Sequence, residues 1–447
     1  MIRSTLLAAA ALFAFAAPAV AQTVAITNAR LMTGANAGEI ANGTVIITNG
    51  RITAVGAGLP APAGARVIDA QGRPVTPGLV STGSDLSLNE VSAIGDAEDA
   101  TANATGVTAA FDLQYGINPA STSLPVARLG GVTRAVVTPN RGGGASAHEH
   151  ETQGVSGEGS SAQNNSGLFA GQAAVIHTAV ADDILVRPRV AMVLDLGQAG
   201  ARRVGGARGS AIVELLGILG DVRDFRQNRA AWERAERRSY GLSAADLGAL
   251  IPVVEGRQPV IVRIHRASDI RQLLRIAREQ NLKVILEDAE EGWMVASEIA
   301  RAGVPVLVNP ITDLPSSFES LGATLENAAR LNAAGVTVVI LGDRAGHYAR
   351  QTRWFAGNAV AHGMPYAAAL AAITSNPARV FGLGEQFGSL AVGREADVVV
   401  WNGDPFEPMS QPLHVFIRGV EQPLVTRQQQ LRDRYRVLNR ATPPGYH

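Results

Sequence analysis

The sequence predicts an α/β protein built as a barrel of eight strands with outer helices, together with a small β-sandwich domain formed from both chain ends. Apolar strand patterns alternate with helical patterns through the middle of the chain, and both ends carry short alternating strands. The chain has 447 residues, of which 46% are hydrophobic, so it can bury a core large enough for one barrel and a satellite domain.

Eight segments in the middle of the chain have the composition of buried strands. Helical patterns such as ASDIRQLLRIAREQ lie between the later segments, which is typical of βα units and a parallel sheet. These units predict a TIM-type (β/α)8 barrel over residues 75–385. The expected strands are 75–82, 132–138, 172–178, 189–195, 259–265, 283–288, 304–309 and 336–343. Two insertions are expected, a Gly-, Ser- and Asn-rich loop at about 140–168 and an arginine-rich helical excursion at about 199–258.

Both ends of the chain have the character of short strands joined by turns. Residues 22–74 alternate apolar and polar side chains, and Asn49-Gly50 is a hairpin signal because both residues accept positive φ. Residues 386–437 have the same character. The two pieces are therefore expected to form one composite β-sandwich domain.

Residues 1–21 have the pattern of a secretory signal peptide. Arg3 precedes an apolar run, and an A-x-A cleavage site ends at Ala21, before Gln22. A membrane anchor is the alternative, and it fits less well because Pro18 breaks the short run. The mature chain is expected to be exported to the periplasm or secreted, with no later segment that spans a membrane.

Composition excludes several classes of function. The formal net charge is zero, which argues against an electrostatic nucleic-acid binder. The chain has no cysteine, so thiolate catalysis, cysteine-ligated zinc and disulfides are excluded. The expected partner is a small-molecule substrate or ligand. Association with a second copy or with a related hydrolase is left open.

Polar side chains follow most of the expected strands, at the edge where a barrel of this kind carries its chemistry. These residues are Asp85, His177, Asp195, His265, Glu287, Asp288, Asn309 and Asp343. Imidazole nitrogens and carboxylate oxygens suit Zn²⁺ or Mn²⁺, so the pattern predicts a divalent metal site, with a metal-free hydrogen-bonded network as the alternative. Asn309, Asp195 and the nearby His347 are the candidates for contacts to the substrate.

Several of these residues also have a purely structural interpretation. His177 can cap a strand end, and Asp195 can cap a helix or pair with an arginine. Either Glu287 or Asp288 can be a helix-start acid, and Asn309 can shape a turn. The balance favours a structural role for Asp195 and is even for His177.

The remaining histidines are weaker candidates. His148 and His150 flank Glu149 in the Gly-rich loop, where nothing orders them, so we interpret the motif as a solvated loop, with weak metal binding as the minor alternative. The histidines interpreted as structural or exposed are His362, His414 and His447.

Two end motifs resemble the amidohydrolase superfamily, in the branch that contains imidazolonepropionase-like and dihydroorotase-like hydrolases. The first is the strand-rich stretch at residues 26–80. The second is ALAAITSNPARVFGLGEQFGSLAVGREADVVVWNGDPFE at residues 369–407. The resemblance covers most of the mature chain. It implies hydrolysis of a carbon–nitrogen bond, other than a peptide bond, in a small amide or cyclic amide, commonly by a metal-bound hydroxide.

The resemblance assigns roles to two residues. His265 matches the family's histidine after the fifth strand, and Asp343 matches the aspartate after the eighth strand, which shuttles the proton. The resemblance therefore implies Asp343 as the base and a possible metal ligand, and His265 as a ligand or as a group that polarises a carbonyl.

The chain also departs from the family's metal-binding pattern. Gly83 and Asp85 replace the two histidines after the first strand, and Glu287 or Asp288 stands at the histidine after the sixth. Lys283, the only lysine, is at the wrong position for a carboxylated lysine that bridges two metals. Two alternatives for the cofactor therefore remain, namely one zinc or manganese ion, or no metal. The ligands that remain available are Asp85, His177, His265, Glu287 and Asp343.

Two functions are consistent with these observations. One is an exported hydrolase with a divergent, mononuclear metal site. The other is a catalytically inactive protein of the same fold that binds a small ligand or a partner hydrolase.

Overall fold

A computed structural model gives the structure of the protein. It describes residues 23–34, 38–91, 97–102, 107–140, 167–315 and 317–436. The expected signal peptide, most of the Gly-rich loop with His148 and His150, and His447 lie outside the described residues.

The described residues form sixteen strands and eleven α-helices. The strands are β1 (Thr23–Met32), β2 (Glu39–Thr48), β3 (Arg51–Ala57), β4 (Arg66–Asp69), β5 (Pro74–Pro77), β6 (Leu79–Ser84), β7 (Val132–Val137), β8 (Phe169–His177), β9 (Leu185–Asp195), β10 (Val260–Ile264), β11 (Val284–Asp288), β12 (Val306–Val308), β13 (Val338–Ile340), β14 (Val398–Trp401), β15 (Pro412–Ile417) and β16 (Val420–Glu421). The helices are α1 (Ser123–Arg128), α2 (Gln198–Arg203), α3 (Arg208–Glu233), α4 (Ala244–Val254), α5 (Ala267–Gln280), α6 (Ala296–Ala302), α7 (Asn327–Ala333), α8 (Thr352–Ala361), α9 (Tyr366–Ala372), α10 (Ser375–Val380) and α11 (Arg427–Tyr435). None of the described helices combines the length and apolarity needed to cross a membrane.

Strands β6 to β13 form one eight-stranded sheet in chain order. Gly342 donates a backbone hydrogen bond to Thr82 over 3.1 Å, and Asp85 donates one to Arg344 over 2.7 Å. These bonds bring β6 beside the segment that follows β13, so the sheet is nearly closed. Helices accompany the later strands, as the periodicity predicts. The expected α/β, TIM-like barrel is confirmed in this outline.

One strand of the barrel runs against the others. β8 is antiparallel to both β7 and β9, whereas β6 is parallel to β7 and β9 to β13 are parallel to one another. β8 and β9 form a hairpin in which His177 donates its N–H to the Ile184 carbonyl over 2.9 Å. The connection is too short for the crossover that a parallel pair requires. The prediction of a parallel strand at 172–178 is therefore wrong, and His177 lies at the amino end of the barrel.

The interior of the barrel is filled by alternate side chains of its strands. This buried cluster also contains apolar residues that follow α9, and these close the amino end. Its strand members include Val80, Val136, Ala173, Val193, Ile261, Ile285, Leu307 and Val339, and the closing residues are Ala378, Phe381, Leu383 and Phe387. The strand residues on the opposite faces pack against the outer helices.

Strands from both chain ends form a second eight-stranded sheet. Its order is β16-β15-β14-β5-β1-β2-β3, with β4 beside β1. The expected strand at 75–82 is thus divided, because its first residues belong to β5 in this sheet and the rest to β6 in the barrel. Trp401 on β14 is fully buried and donates to Thr76 Oγ1 over 2.9 Å. The β-sandwich arrangement of residues 22–74 and 386–437 stays a prediction.

A buried ion pair joins the barrel to the sheet at the chain ends. Arg134 on β7 is 1% exposed, and its guanidinium lies 2.6 Å from both Asp397 and Glu395, just before β14. Its guanidinium also lies over the ring of Phe387, 4.8 Å from the centroid. A charge buried this deeply is stable only with such partners.

Arg134→Met is expected to reduce the free energy of unfolding by about 3–5 kcal/mol, because it leaves two buried or half-buried carboxylates without their cation. The measurement is urea unfolding followed by circular dichroism. Arg229→Met is the matched control, since the Arg229–Glu233 pair on α3 is exposed and its loss is expected to cost less than about 1 kcal/mol. Equal losses in the two variants would contradict a structural role for the buried pair.

Candidate functional site

Three neighbouring strands carry charged side chains in register at their carboxyl ends. Asp195, Arg263 and Glu287 lie side by side on β9, β10 and β11. Ile261, two residues before Arg263, belongs to the cluster inside the barrel. Because strand residues alternate between faces, the three charged side chains also face the interior, as does His265. The residues that follow β6 and β9 to β13 at this end are referred to below as the barrel mouth.

Glu287 is held between two arginines. Its side chain is fully buried, and its Oε1 accepts hydrogen bonds from Arg263 Nε at 3.0 Å and from Arg344 Nη2 at 2.7 Å. Burial alone would raise the pKa of Glu287, but the two guanidiniums outweigh burial and hold that pKa below its ordinary value. Glu287 is therefore an ionised carboxylate that pairs with two cations.

Asp288 lies next to the same cations at longer distances. Its Oδ2 is 3.5 Å from Arg344 Nη2 and 3.7 Å from Arg263 Nε. Burial raises the pKa of Asp288, and the adjacent charge of Glu287 adds to that increase. Its backbone has φ of 72°, in the left-handed region that side chains other than glycine rarely adopt. Strained backbone of this kind is frequent at ligand sites.

His265 is a cation at neutral pH. Its Nδ1 lies 2.7 Å from Glu290 Oε2, and its Nε2 lies 3.6 Å from Glu319 Oε1. Burial by itself would lower the pKa of this imidazole, but Glu290, Asp288 and Glu319 outweigh burial and raise the pKa to about 9. The side chain is 17% exposed, so the protonated ring remains accessible at the mouth.

Asp195 has the structural contacts that its sequence position suggested. Its Oδ1 accepts from the backbone N–H of Gly197 at 3.0 Å, at the start of α2. Its Oδ2 lies 3.5 Å from Arg203 Nη1 at the end of α2. The interpretation of Asp195 as the partner of an arginine is confirmed by this pair.

Other predicted residues accept hydrogen bonds from backbone N–H groups of the loops at the mouth. Asp85 is 3% exposed and accepts from the N–H of Gly346, and burial raises its pKa. Asn309 Oδ1 accepts from Ile311 N at 3.1 Å, and Asp343 Oδ1 accepts from Ala345 N at 2.9 Å. The turn-shaping interpretation of Asn309 is confirmed by this bond.

Two predicted histidines are placed differently from the rest. His347 follows β13 in a short 3-10 helix, is exposed, and packs its ring against Tyr348 with centroids 4.1 Å apart. His177 lies opposite Arg134 in the register of the antiparallel strands β7 and β8, at the amino end of the barrel. Burial, followed by the positive charge of Arg134, lowers the pKa of His177 to about 4. The reversal of β8 thus corrects the expectation that His177 joins Asp85 and His265 in one metal site.

The residues at the mouth do not fit a divalent metal. His265 Nδ1 is already paired with Glu290 Oε2 at 2.7 Å, which leaves only Nε2 free to face the mouth. Oε1 of Glu287 is shared by Arg263 and Arg344, so two positive charges already lie beside this carboxylate. At Gly83, where φ is 81°, an added Cβ would lie 2.3 Å from Leu341 Cδ1, so a histidine there would require strained backbone and a shift of the Leu341 side chain. Among the described residues, no group of three or more His, Asp or Glu side chains is arranged to hold a metal.

Sequence reasoning missed the cations and acids that neutralise the predicted residues. Arg263 could have been predicted from the sequence, because it is the one arginine in the otherwise apolar strand VIVRIH. The alternation of strand residues places it on the same face as His265. Arg344 directly follows Asp343 in the chain. Glu290 and Glu319 carried no local signal, because only the folded loops bring them to His265.

The charge on His265 predicts a stability that falls in alkaline solution. The folded pKa of about 9 exceeds the ordinary histidine pKa of 6.5, so the contribution of this residue is complete below pH 6.5 and is lost as the pH rises through 9. The loss is on the order of 3 kcal/mol. The test compares urea unfolding at about pH 6 and about pH 9.5 in the wild type and in His265→Gln.

His362→Gln is the matched control, because His362 Nδ1 contacts only the Asn358 carbonyl at the end of α8. We expect the alkaline loss to persist in this control and to be greatly reduced in His265→Gln. An identical loss in His265→Gln and the wild type would refute the ionic role of His265.

Comparisons with known proteins agree with the geometry. The model of the Amidohydrolase family matches residues 270–426. Amidohydrolase tasK of Hapsidospora irregularis is 24% identical over 407 residues, which cover 85% of this chain and 40% of that protein. The chain therefore spans less than half the length of this curated relative.

Solved structures share the fold. An amidohydrolase from Thermotoga maritima MSB8 has a TM-score of 0.75 at 23% identity, covering 89% of this chain and 99% of that one. A molinate hydrolase has a TM-score of 0.53 at 20% identity, covering 90% and 95%.

The Amidohydrolase family consists of hydrolases, and its members usually bind divalent metals. The family match begins within α5 and ends after β16. The solved structures share the fold of nearly the whole described chain. The match to the Amidohydrolase family over residues 270–426 and the shared fold thus confirm the resemblance seen in the two end motifs.

Proposed function

We propose that this chain hydrolyses a carbon–nitrogen bond in a small amide or cyclic amide at the barrel mouth, without a divalent metal. The match of residues 270–426 to the Amidohydrolase family supports carbon–nitrogen hydrolysis as the broad class of reaction. The observation that carries the proposal at this site is the protonated, partly exposed His265, which follows β10 on the face that lines the mouth.

His265 is proposed to polarise the substrate carbonyl. Glu290 holds Nδ1 and fixes the orientation of the ring, whereas Nε2 lies 3.6 Å from Glu319, beyond a good hydrogen bond. The Nε2–H can therefore donate to a carbonyl oxygen and stabilise the negative charge that develops there when water attacks. The three surrounding acids keep the ring protonated at neutral pH.

Asp343 is proposed to accept the proton of the attacking water. It follows β13 and its half-buried carboxylate is oriented by Ala345 N. A carboxylate is a weak base, and the donor set here does not supply a metal that would lower the pKa of water. These groups are therefore suited to an activated bond, such as that of a strained or electron-poor cyclic amide.

Binding without turnover is the second candidate. The specific observation that favours it is the salt-bridged Glu287, because the resemblance puts a metal-binding histidine at either Glu287 or Asp288. In this case the mouth would bind a small ligand, or the chain would associate with a related hydrolase or a second copy of itself.

The deciding experiment measures metal content and hydrolysis on the same preparation. The chain from Gln22 is purified without a metal-binding tag, and zinc and manganese are counted by elemental mass spectrometry. A panel of amides and cyclic amides is then assayed with and without chelator. We expect no stoichiometric metal, chelator-resistant turnover, and losses of about 100-fold or more in Asp343→Asn and His265→Gln.

His362→Gln is the matched control and is expected to keep full activity, because His362 lies outside the mouth. Chelator-sensitive turnover with one metal per chain would contradict the metal-free mechanism. Saturable binding without turnover across the panel would support the second candidate instead.

We further propose that the chain is exported, supported by the pattern of residues 1–21. Cell fractionation and N-terminal sequencing are expected to find mature protein that begins at Gln22. Ala21→Arg should cause the precursor to accumulate, whereas Thr23→Ala, just beyond the cleavage site, should not. Mature protein that retains Met1 and stays in the cytoplasm would refute the proposal.

A further inference from the structure

We propose that a cavity at the amino end of the barrel, opposite the mouth, binds a small molecule that carries a phosphate group. The cavity, referred to here as the basal cavity, lies beside the starts of β10, β11 and β12 and the segment after α10. Its volume is about 740 Å³, within the range of sites for small molecules. It is separate from the mouth, so its ligand is a question independent of the proposed hydrolysis.

The charged side chains that line the basal cavity are all positive. Five cationic side chains line it, namely Arg187, Arg189, Arg257, Lys283 and Arg379. None of the described residues that line it is acidic. Since the whole chain has a formal net charge of zero, this local excess of positive charge is a property of the fold and not of the composition.

Two of these cations have carboxylate partners. Arg189 Nε lies 2.6 Å from Asp112 Oδ2, and Arg257 Nε lies 2.8 Å from Glu255 Oε2. Both acids stand outside the lining of the cavity. These two arginines are therefore held in place while the face of the cavity stays basic.

The other three cations lack such neutralisation. Arg187 Nη1 donates to the Gly382 carbonyl at 3.0 Å, and Arg379 Nη2 donates to the Asn376 side-chain oxygen. Both acceptors are neutral. Within the part of the chain that the structure describes, no carboxylate forms an ion pair with these arginines or with Lys283.

Three unneutralised cations around one cavity select a multiply charged anion. A phosphate monoester carries about −1.5 to −2 charges at pH 7 and three acceptor oxygens. Arginine forks bind such oxygens in pairs, and lysine adds a compact positive charge. A single carboxylate would leave about two of the three charges without a partner, so phosphate is the better match.

The test is isothermal titration calorimetry on the full mature chain, with glucose 6-phosphate and inorganic pyrophosphate as probes and sodium chloride at equal ionic strength as the reference. Vesicles that contain phosphatidic acid form a separate arm, which distinguishes a lipid headgroup from a free phosphate ester. We expect saturable binding in at least one arm. Lys283→Gln combined with Arg379→Gln should raise the Kd at least about tenfold.

The control is Arg229→Gln, which removes an exposed arginine on α3 outside the cavity and should leave the Kd unchanged. Lys283 and Arg379 are both exposed, so the double variant is expected to fold, and Lys283→Gln alone repeats the test if it does not. The proposal is overturned by the absence of saturable binding in every arm, or by equal affinities of the double variant and the control. Hydrolysis at the mouth can fail without changing either result.

Discussion

A carboxylate buried as completely as that of Glu287 must have a cation beside it, and much of the mouth follows from this requirement. The parallel register of β10 and β11 places Arg263 opposite Glu287, so one cation is supplied by the backbone pairing itself. Arg344 supplies the second cation from the segment after β13, and its carbonyl accepts the N–H of Asp85. The same residue thus neutralises the interior acid and helps to close the barrel against β6.

A second set of charges extends outward from this centre. Glu319 accepts from Gln198 N at 2.7 Å and from Arg208 Nη2 at 3.0 Å, which connects the loop after β12 to the starts of α2 and α3. Its other oxygen faces His265. The arginine-rich excursion is therefore tied to the mouth by charge, although its helices pack on the outside. Protonation of His265 and the position of these helices are parts of one electrostatic arrangement.

The elements that depend on local pattern could be predicted from the sequence. The amphipathic repeat of α5 gave its bounds, and the apolar runs gave the strands to within a few residues. The antiparallel direction of β8 could have been predicted from the length of the connection to β9. The segment between His177 and Leu185 has no helical pattern and is too short for a crossover. The state of the mouth could not be predicted in the same way. The environment of His265 depends on Glu290 and Glu319, which only the folded loops bring beside its ring.

The paired arginines around Glu287 also constrain which substitutions the mouth tolerates. Exchanging Glu287 for a histidine would remove the acceptor that Arg263 and Arg344 share and leave them only the more distant carboxylate of Asp288. The loss of Glu287 alone therefore leaves buried positive charge poorly compensated, at a cost of about 3–5 kcal/mol, which is a large share of the stability of a typical domain. Substitutions around the salt bridge are tolerated more easily than the loss of the salt bridge itself.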